Sequence, residues 1–453
     1  MASAIPSDLR QQVEQGTGCV IAAEVARGGG GASRQGAEVT LRAASGAEQR
    51  CYLAWDARAG DPSRLPFFAR ETAILRALSG PFAASGIKAA PLIGSYPSHL
   101  ALLSVFVPGN DRFAMAENKA ALAADFMRQL AALHRFDAAD PAFAELGDAS
   151  EPPSQRIAAN LAQWRETNLA SGADPILQIA LDWLARHVPE DRGPAVVLHG
   201  DAGPGNFLFD GNRVAALIDW ELTHLGDPAE DLAQIWVRSL IQPFVPMRDV
   251  LEAYAEASGS VPDLARIKYH RLYFQLSFSV AGAAAAAAVS AVGASGTGLL
   301  YGTMHRRVIV RAVAELAGIT LTGPPVPQIA PDWTDRYFAA ALEDLKADIV
   351  PAAANQRAAA KAKDLARMVK FWRRRASHGA AFDAAELAEI QALLPGAPNA
   401  LAAARTALGE AIAGGKADFA AALQLCHNRA ARETFVMADA LGALATTWYE
   451  DIG

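Results

Sequence analysis

Three β-rich runs open the chain, Gly18–Val25, Ala37–Ala43 and Gln49–Trp55, separated by Gly28-Gly29-Gly30-Gly31 and by Ser45-Gly46. They predict strands joined by tight turns. Over Pro66–Leu78 the period changes: Phe67, Phe68, Ile74, Leu75 and Leu78 share one broad helical face. Leu100–Val107 reads as a buried strand that Pro108-Gly109 stops. The first hundred residues are therefore expected to form a small sheet with one helix. Longer helical patterns follow at Lys119–Phe136, Ser154–Leu169 and Ile176–His187, then short strands between Val196 and Ile218, then helices from Ala229 through Leu316.

Gly323-Pro324-Pro325-Val326-Pro327 disfavours helix and reads as a stiff linker. Beyond it, Trp333, Tyr337, Phe338, Ala341, Leu342, Leu345 and Ile349 fall on one helical face. Asp383…Glu386 has the spacing of a capping box before Leu387, Ile390, Leu393 and Leu394. The expected parts are a β-rich 1–107, a mainly helical 108–325 and an all-helical 326–453, with no repeat at solenoid periods.

Leu272 to Met304 carries no charge and is long enough to cross a bilayer, but its middle is Ala and Gly with Gln275, Ser277, Ser279, Ser290, Ser295 and Thr297 interspersed. Alanine contributes little to membrane insertion, so a tightly packed helix is expected there rather than a span.

Composition narrows the class without deciding it. With 453 residues, 52% hydrophobic and 20% charged, the chain is globular rather than disordered. A net charge of −7 argues against wrapping nucleic acid. Cys19, Cys51 and Cys426 are far apart and lack CxxC spacing, which excludes a disulfide framework or a zinc site. No basic start followed by an apolar run marks a secretory signal, so a cytoplasmic protein is expected.

The chemistry concentrates in Leu198-His199-Gly200-Asp201-Ala202-Gly203-Pro204-Gly205-Asn206-Phe207-Leu208-Phe209 and, after Asp210-Gly211-Asn212-Arg213, in Val214-Ala215-Ala216-Leu217-Ile218-Asp219-Trp220-Glu221. Phe207–Phe209 and Val214–Ile218 flank a glycine-containing turn and should pair as a hairpin. That pairing sets Asn206 and Asp219 side by side at its open end, with Asp201 on the loop just before. Phosphoryl transfer needs this set: one carboxylate to accept the proton of an attacking hydroxyl, and an amide oxygen and a second carboxylate to hold magnesium. Asp201 is assigned as base, Asn206 and Asp219 as metal ligands. No Gly-x-Ser-x-Gly elbow, His-Glu-x-x-His or reactive-cysteine signature competes.

His199-Gly200-Asp201…Asn206, Asp219-Trp220-Glu221 and Gly226-Asp227-Pro228-Ala229-Glu230-Asp231-Leu232-Ala233 closely resemble the aminoglycoside phosphotransferase branch of the kinase-like fold. Within it the chain is most similar to bacterial phosphotransferases related to the kinase domains of acyl-CoA dehydrogenase family proteins. The resemblance implies an α+β, two-lobed protein-kinase-like fold with an added all-α C-terminal module, and ATP with Mg2+. Under it, Gly28–Gly36 is the loop over the phosphates, with Gly29, Gly30, Gly31, Ser33 and Arg34 facing nucleotide, and adenine meets the backbone near Phe106 and Val107.

The family pattern also has a cation on the third strand paired with a helical glutamate. Glu71 supplies the glutamate, but Tyr52-Leu53-Ala54-Trp55-Asp56 offers no cation; Arg34, Arg42, Arg50 and Arg58 are the substitutes.

The remaining polar residues divide by role. His199, Asp227 and Asp231 are expected as structural support, and His134 as packing. Glu221 and His224 are candidate contacts to substrate or phosphate. Lys361, Lys363, Arg367, Lys370, Arg373, Arg374 and Arg375 surround Leu365, Met368, Val369 and Trp372, and are expected to be a solvated helix edge. The expected acceptor is a small-molecule hydroxyl, of a hydroxy acid or hydroxyacyl metabolite, with an aminoglycoside as the alternative because acids crowd Glu221–Asp231. A non-catalytic nucleotide-binding scaffold is the rival class. The C-terminal helices are expected to build an acceptor pocket, a contact for self-association or a partner surface.

Overall fold

The computed structural model describes residues 4–27, 34–288 and 295–452. In chain order the elements begin with α1 (Ser7–Thr17), β1 (Val20–Arg27), β2 (Arg34–Arg42), β3 (Glu48–Asp56), α2 (Leu65–Ser79), β4 (Leu92–Tyr96) and β5 (Ala101–Val105). Next come α3 (Lys119–Leu133), α4 (Pro153–Ala170), α5 (Pro175–Arg186), β6 (Val196–Leu198), β7 (Phe207–Asp210), β8 (Arg213–Leu217) and β9 (His224–Gly226). The rest is helical: α6 (Pro228–Ser239), α7 (Met247–Ser258), α8 (Leu264–Ala288), α9 (Gly296–Ala317), α10 (Asp335–Asp344), α11 (Gln356–Leu393), α12 (Leu401–Ala413) and α13 (Phe419–Leu441).

These elements form two compact units that do not follow chain order. One comprises residues 1–153, 191–267 and 449–453; the other comprises 154–190 and 268–448.

The first unit holds an antiparallel five-stranded sheet in the order β1-β2-β3-β5-β4. Ala37, Val39 and Leu41 of β2 and Cys51, Leu53 and Trp55 of β3 are buried at alternate positions, the period of a half-buried sheet. That face is covered by Ile5, Leu9 and Val13. The last two belong to α1, a helix the apolar pattern did not predict because only two of its residues are buried. The strand β4 also went unpredicted, and the region therefore has two helices rather than one. Helix α2 buries Phe68, Ile74, Leu75 and Leu78, together with Glu71, and packs on the turn at Trp220–Leu222. Phe126 of α3 stacks on Phe207 at a centroid distance of 4.7 Å, anchoring the start of β7.

The second unit is all-α. Leu177, Leu181 and Leu184 of α5, Leu272 and Leu276 of α8, Ile309 and Val313 of α9, Ile390 of α11, Leu408 of α12 and Leu423 and Cys426 of α13 form one core. Helices before and after the Gly323–Pro327 stretch share this core, so that stretch lies inside one unit. Thr322 beside it is bonded to Gln424. The uncharged segment expected as one helix is divided between α8 and α9, with 289–294 outside the described residues. No described helix is long and apolar enough to cross a membrane.

Three further expectations change. Asp383 and Glu386 cap nothing, because α11 runs unbroken from its Asn355 cap past both. Asp383 pairs with Arg375, and Glu386 with Arg405. The face at 333–349 is only partly buried: Leu345 packs with Phe338, Ala341 and Leu342, whereas Trp333 is 70% exposed. The basic edge of α11 is largely engaged in ion pairs and hydrogen bonds, with Arg373 on Asp335 and Arg374 on Asp439.

Candidate functional site

The site lies in the first unit and is built from the loop 199–206 and the β7–β8 hairpin. Strand β6 delivers the loop and is paired to β9, with Leu198 opposite His224. Beyond β6 the loop backbone is held by α6. Asp231, fully buried, accepts the His199 and Gly200 amides at 2.8 and 2.9 Å and faces His134 Nε2 at 3.0 Å. Full burial would push that carboxyl up, but the His134 and His199 interactions hold it below the ordinary value. Gln234 accepts the Ala202 amide at 2.9 Å. Gly200 is required: its φ is +81°, and a Cβ there would stand 1.9 Å from the Leu222 carbonyl oxygen.

His199 is buried, bonded through Nε2 to the Ile218 carbonyl at 3.1 Å and packed against the Trp220 ring. Burial lowers its pKa and outweighs the pull of Asp231 and Asp201. His134, expected only to pack, is also bonded to the Tyr254 hydroxyl at 2.8 Å. Asp227 caps α6 in a capping box with Glu230 and pairs with Arg266.

The hairpin forms with Phe207 opposite Leu217, and the Ile218 amide bonds the Asn206 carbonyl at 3.0 Å. That register places Asn206 beside the segment entering Asp219. Asn206 is buried; its Nδ2 donates to the Asp201 carbonyl at 2.8 Å and to Asp201 Oδ2 at 2.6 Å. Asp219 takes a left-handed backbone conformation, φ +66°, uncommon for a residue with a Cβ. The Trp220 indole locks the turn by donating to the Leu217 carbonyl at 3.1 Å.

Asp219 opens to solvent, and no hydrogen bond or ion pair from a described residue reaches its carboxylate. Desolvation by the surrounding protein, then Glu221, Asp201 and Glu71, push it up from 3.8 to about 6 against the pull of Arg34. A carboxylate held among other acids without a donor is a place for a cation. Among the described residues no group of three or more His, Cys, Asp or Glu side chains stands ready to hold a metal. The donor set is instead one carboxylate and one carboxamide, oxygen ligands that fit a hard divalent ion completing its shell from phosphates and water.

Arg34 opens β2 directly opposite Asp56, and its guanidinium forms an ion pair with the buried Glu71 of α2. Burial alone would lower the Arg34 pKa, but Glu71, with Glu221 and Asp219, raises it above the ordinary value. The other candidate arginines are engaged elsewhere: Arg42 on Glu48, Arg50 on Glu38, Arg58 on Asp56. The cation beside Glu71 therefore comes from β2 rather than β3.

Arg64, which the sequence did not single out, bridges Asp56 and Glu221 at 3.0 Å each. Arg238 of α6, also not anticipated, lies 2.7 Å from Asp201 Oδ1. Its signal was present in spacing alone: residues 231, 234 and 238 share one helix face.

His224 is turned to Leu222 and Glu230, at 2.8 and 3.2 Å. Phe106 donates its amide to the Arg50 carbonyl at 3.0 Å, and the Arg50 guanidinium covers its ring. Val107 follows, half-buried, two residues beyond β5. Gly29, Gly30, Gly31 and Ser33 lie outside the described residues.

The model of the phosphotransferase enzyme family matches residues 30–270. Acyl-CoA dehydrogenase family member 11 of Homo sapiens is 33% identical over 87 residues, 19% of this chain and 11% of that protein. The Pongo abelii protein of the same name is 30% identical over 92 residues, 20% of this chain and 12% of that protein. The match thus spans about an eighth or less of those relatives' length. A crystal structure of a candidate aminoglycoside phosphotransferase from Ralstonia eutropha superposes with a TM-score of 0.52 at 19% identity, covering 68% of this chain and 97% of the other. That likeness shows the α+β kinase-like fold. Matching the family model across more than half of its length, the chain belongs to the phosphotransferase enzyme family.

Proposed function

We propose that the protein is an ATP- and magnesium-dependent phosphotransferase acting on the hydroxyl of a small molecule. The observation that carries the proposal is the convergence of Asp201, Asn206 and the donor-free Asp219, with the Arg34–Glu71 pair beside them. Asp201 orients the acceptor hydroxyl and takes its proton as the acceptor oxygen bonds to the terminal phosphorus and the bond to the leaving diphosphate breaks. Asn206 and Asp219 would hold magnesium, whose charge offsets that of the phosphates. Arg34, kept charged and in place by Glu71, is the protein's own cation for the phosphates. The expected glycine loop would add backbone amides, and the backbone at Phe106–Val107 would meet the adenine.

Acceptor chemistry follows from how the acids of 221–231 are used. Glu221 is bonded to Arg64, Asp227 to Arg266, Glu230 to the α6 cap and His224, and Asp231 is buried. That leaves little acidic surface to draw a polycation, so the aminoglycoside alternative loses its motive. A hydroxy acid or hydroxyacyl acceptor is favoured, in keeping with the acyl-CoA dehydrogenase name of the relatives. The scaffold reading rested on the absent third-strand cation and on the added helical module; the Arg34–Glu71 pair answers the first and favours catalysis.

The test is ADP formation from Mg·ATP with a panel of hydroxy acids and hydroxyacyl thioesters. Asp201→Asn is expected to lower turnover roughly 10²–10⁴-fold, the usual contribution of a positioned base, while retaining nucleotide binding. ATP binding by both proteins with no phosphorylated acceptor from either would contradict the proposal.

A further inference from the structure

Helix α6 presents Asp231, Gln234 and Arg238 at spacings of three and four, and all three grip the loop that carries Asp201. The first two bind loop backbone, whereas Arg238 reaches the Asp201 carboxylate itself. Its Nη1 lies 2.7 Å from Asp201 Oδ1 and 2.8 Å from Oδ2. Nη2 donates to the Pro204 carbonyl at 3.1 Å and to Asn206 Oδ1 at 3.2 Å, and Nε to the Pro204 carbonyl at 3.3 Å.

Room for the guanidinium comes from two glycines. At Gly203, φ +146°, a Cβ would stand 2.8 Å from Arg238 Cδ; at Gly205, φ +92°, it would stand 2.8 Å from Gln242 Oε1 and 3.4 Å from Arg238 Nη2.

A carboxylate offers about four acceptor positions, two on each oxygen. Arg238 Nη1 takes one on each oxygen, and Asn206 Nδ2 takes the second on Oδ2. One position is left, on Oδ1. Resting on the proposed phosphotransferase reading, we infer that Arg238 is a positioning residue that presents Asp201 Oδ1 to the acceptor hydroxyl as the atom that receives its proton. With Nε, Nη1 and Nη2 all committed to protein oxygens, the guanidinium is occupied as an anchor and is not available as a phosphate ligand. Its loss should therefore appear in kcat and leave nucleotide affinity unchanged.

The experiment compares wild type, Arg238→Ala, Arg238→Lys and Gly203→Ala. It reads steady-state ADP formation from Mg·ATP, with water and with the best acceptor of the panel, and binding of a fluorescent ATP analogue. Arg238→Ala is expected to lose roughly 10²-fold in kcat, the cost of a slightly misplaced catalytic group, with unchanged analogue affinity. Added guanidinium ion should restore part of that loss in Arg238→Ala and none in Asp201→Asn. Lysine, a point charge without the planar fork, should rescue poorly. Gly203→Ala, by displacing the arginine, should lower kcat alike.

Arg238→Ala with wild-type kcat, or a loss expressed as weaker analogue binding that guanidinium does not restore, would overturn the assignment alone. If Arg238→Ala does not fold, Arg238→Lys with wild-type kcat overturns it equally. A wild type with no turnover on water or any acceptor would overturn the proposed function and this assignment together.

Discussion

Two clusters of charge, one in each compact unit, are built from the same residue types and behave oppositely. In the all-α unit, Asp174, Glu433 and Glu386 meet Arg306, Arg429 and Arg405. Arg306 bonds Asp174 at 2.5 Å and Glu433 at 2.9 Å, Arg429 bonds Glu433 at 2.9 Å, and Arg405 bonds Glu386 at 2.6 Å. Every acid there has an arginine, and Asp174 and Glu433 are held below their ordinary values despite burial. In the other unit, Glu71, Glu221 and Asp201 have Arg34, Arg64 and Arg238, and Asp219 has no such partner. Its carboxyl moves up rather than down. The network that joins helices balances its charges internally, whereas the one around Asp219 keeps a negative excess among the described residues, which the proposed magnesium would offset.

The largest effect that tests this contrast is on stability. Arg306→Ala leaves Asp174 and Glu433 to Arg429 alone, and thinning this half-buried network should cost about 1–3 kcal/mol, less than the full loss of a buried partner. Thermal melts should show that loss, with the affinity of the folded protein for Mg·ATP unchanged. An unchanged melting temperature would mean that the helical network is not a staple.

Acid separates the clusters next. Because Asp174 and Glu433 sit below 3.8 and 4.5, their contribution is fully present above those unfolded values and fades as pH falls through the lower folded ones. Amide exchange in α13 should therefore accelerate below about pH 4, and Arg306→Ala should move that onset upward. The smallest effect has the opposite sign. Asp219→Asn, which relieves repulsion at a solvent-open group, should stabilise the ligand-free protein by about 1 kcal/mol or less after screening, while turnover is lost.

How much of this was legible in the sequence differs by region for physical reasons. The β7–β8 hairpin and the adjacency of Asn206 and Asp219 follow from a glycine turn between two apolar runs, which are short-range signals. Arg34 was one of four equivalent candidates, because the choice depends on the β2–β3 register that sets it opposite Asp56. Arg238 required knowing that α6 packs on the loop 199–206, a contact between residues 37 positions apart. Asp383 and Glu386 misled because a three-residue spacing serves a helix interior as well as its start. The C-terminal helices looked like a detachable module, yet Ile390, Leu408 and Leu423 share a core with Leu181 and Val313. Truncation near Gly323 would open that core.

The most direct measurement is a calorimetric titration of ATP into wild type and Asp219→Asn, each with and without magnesium. The account predicts that magnesium strengthens ATP binding to wild type severalfold or more and that most of this gain disappears in Asp219→Asn. Equal magnesium dependence in the two proteins would contradict it.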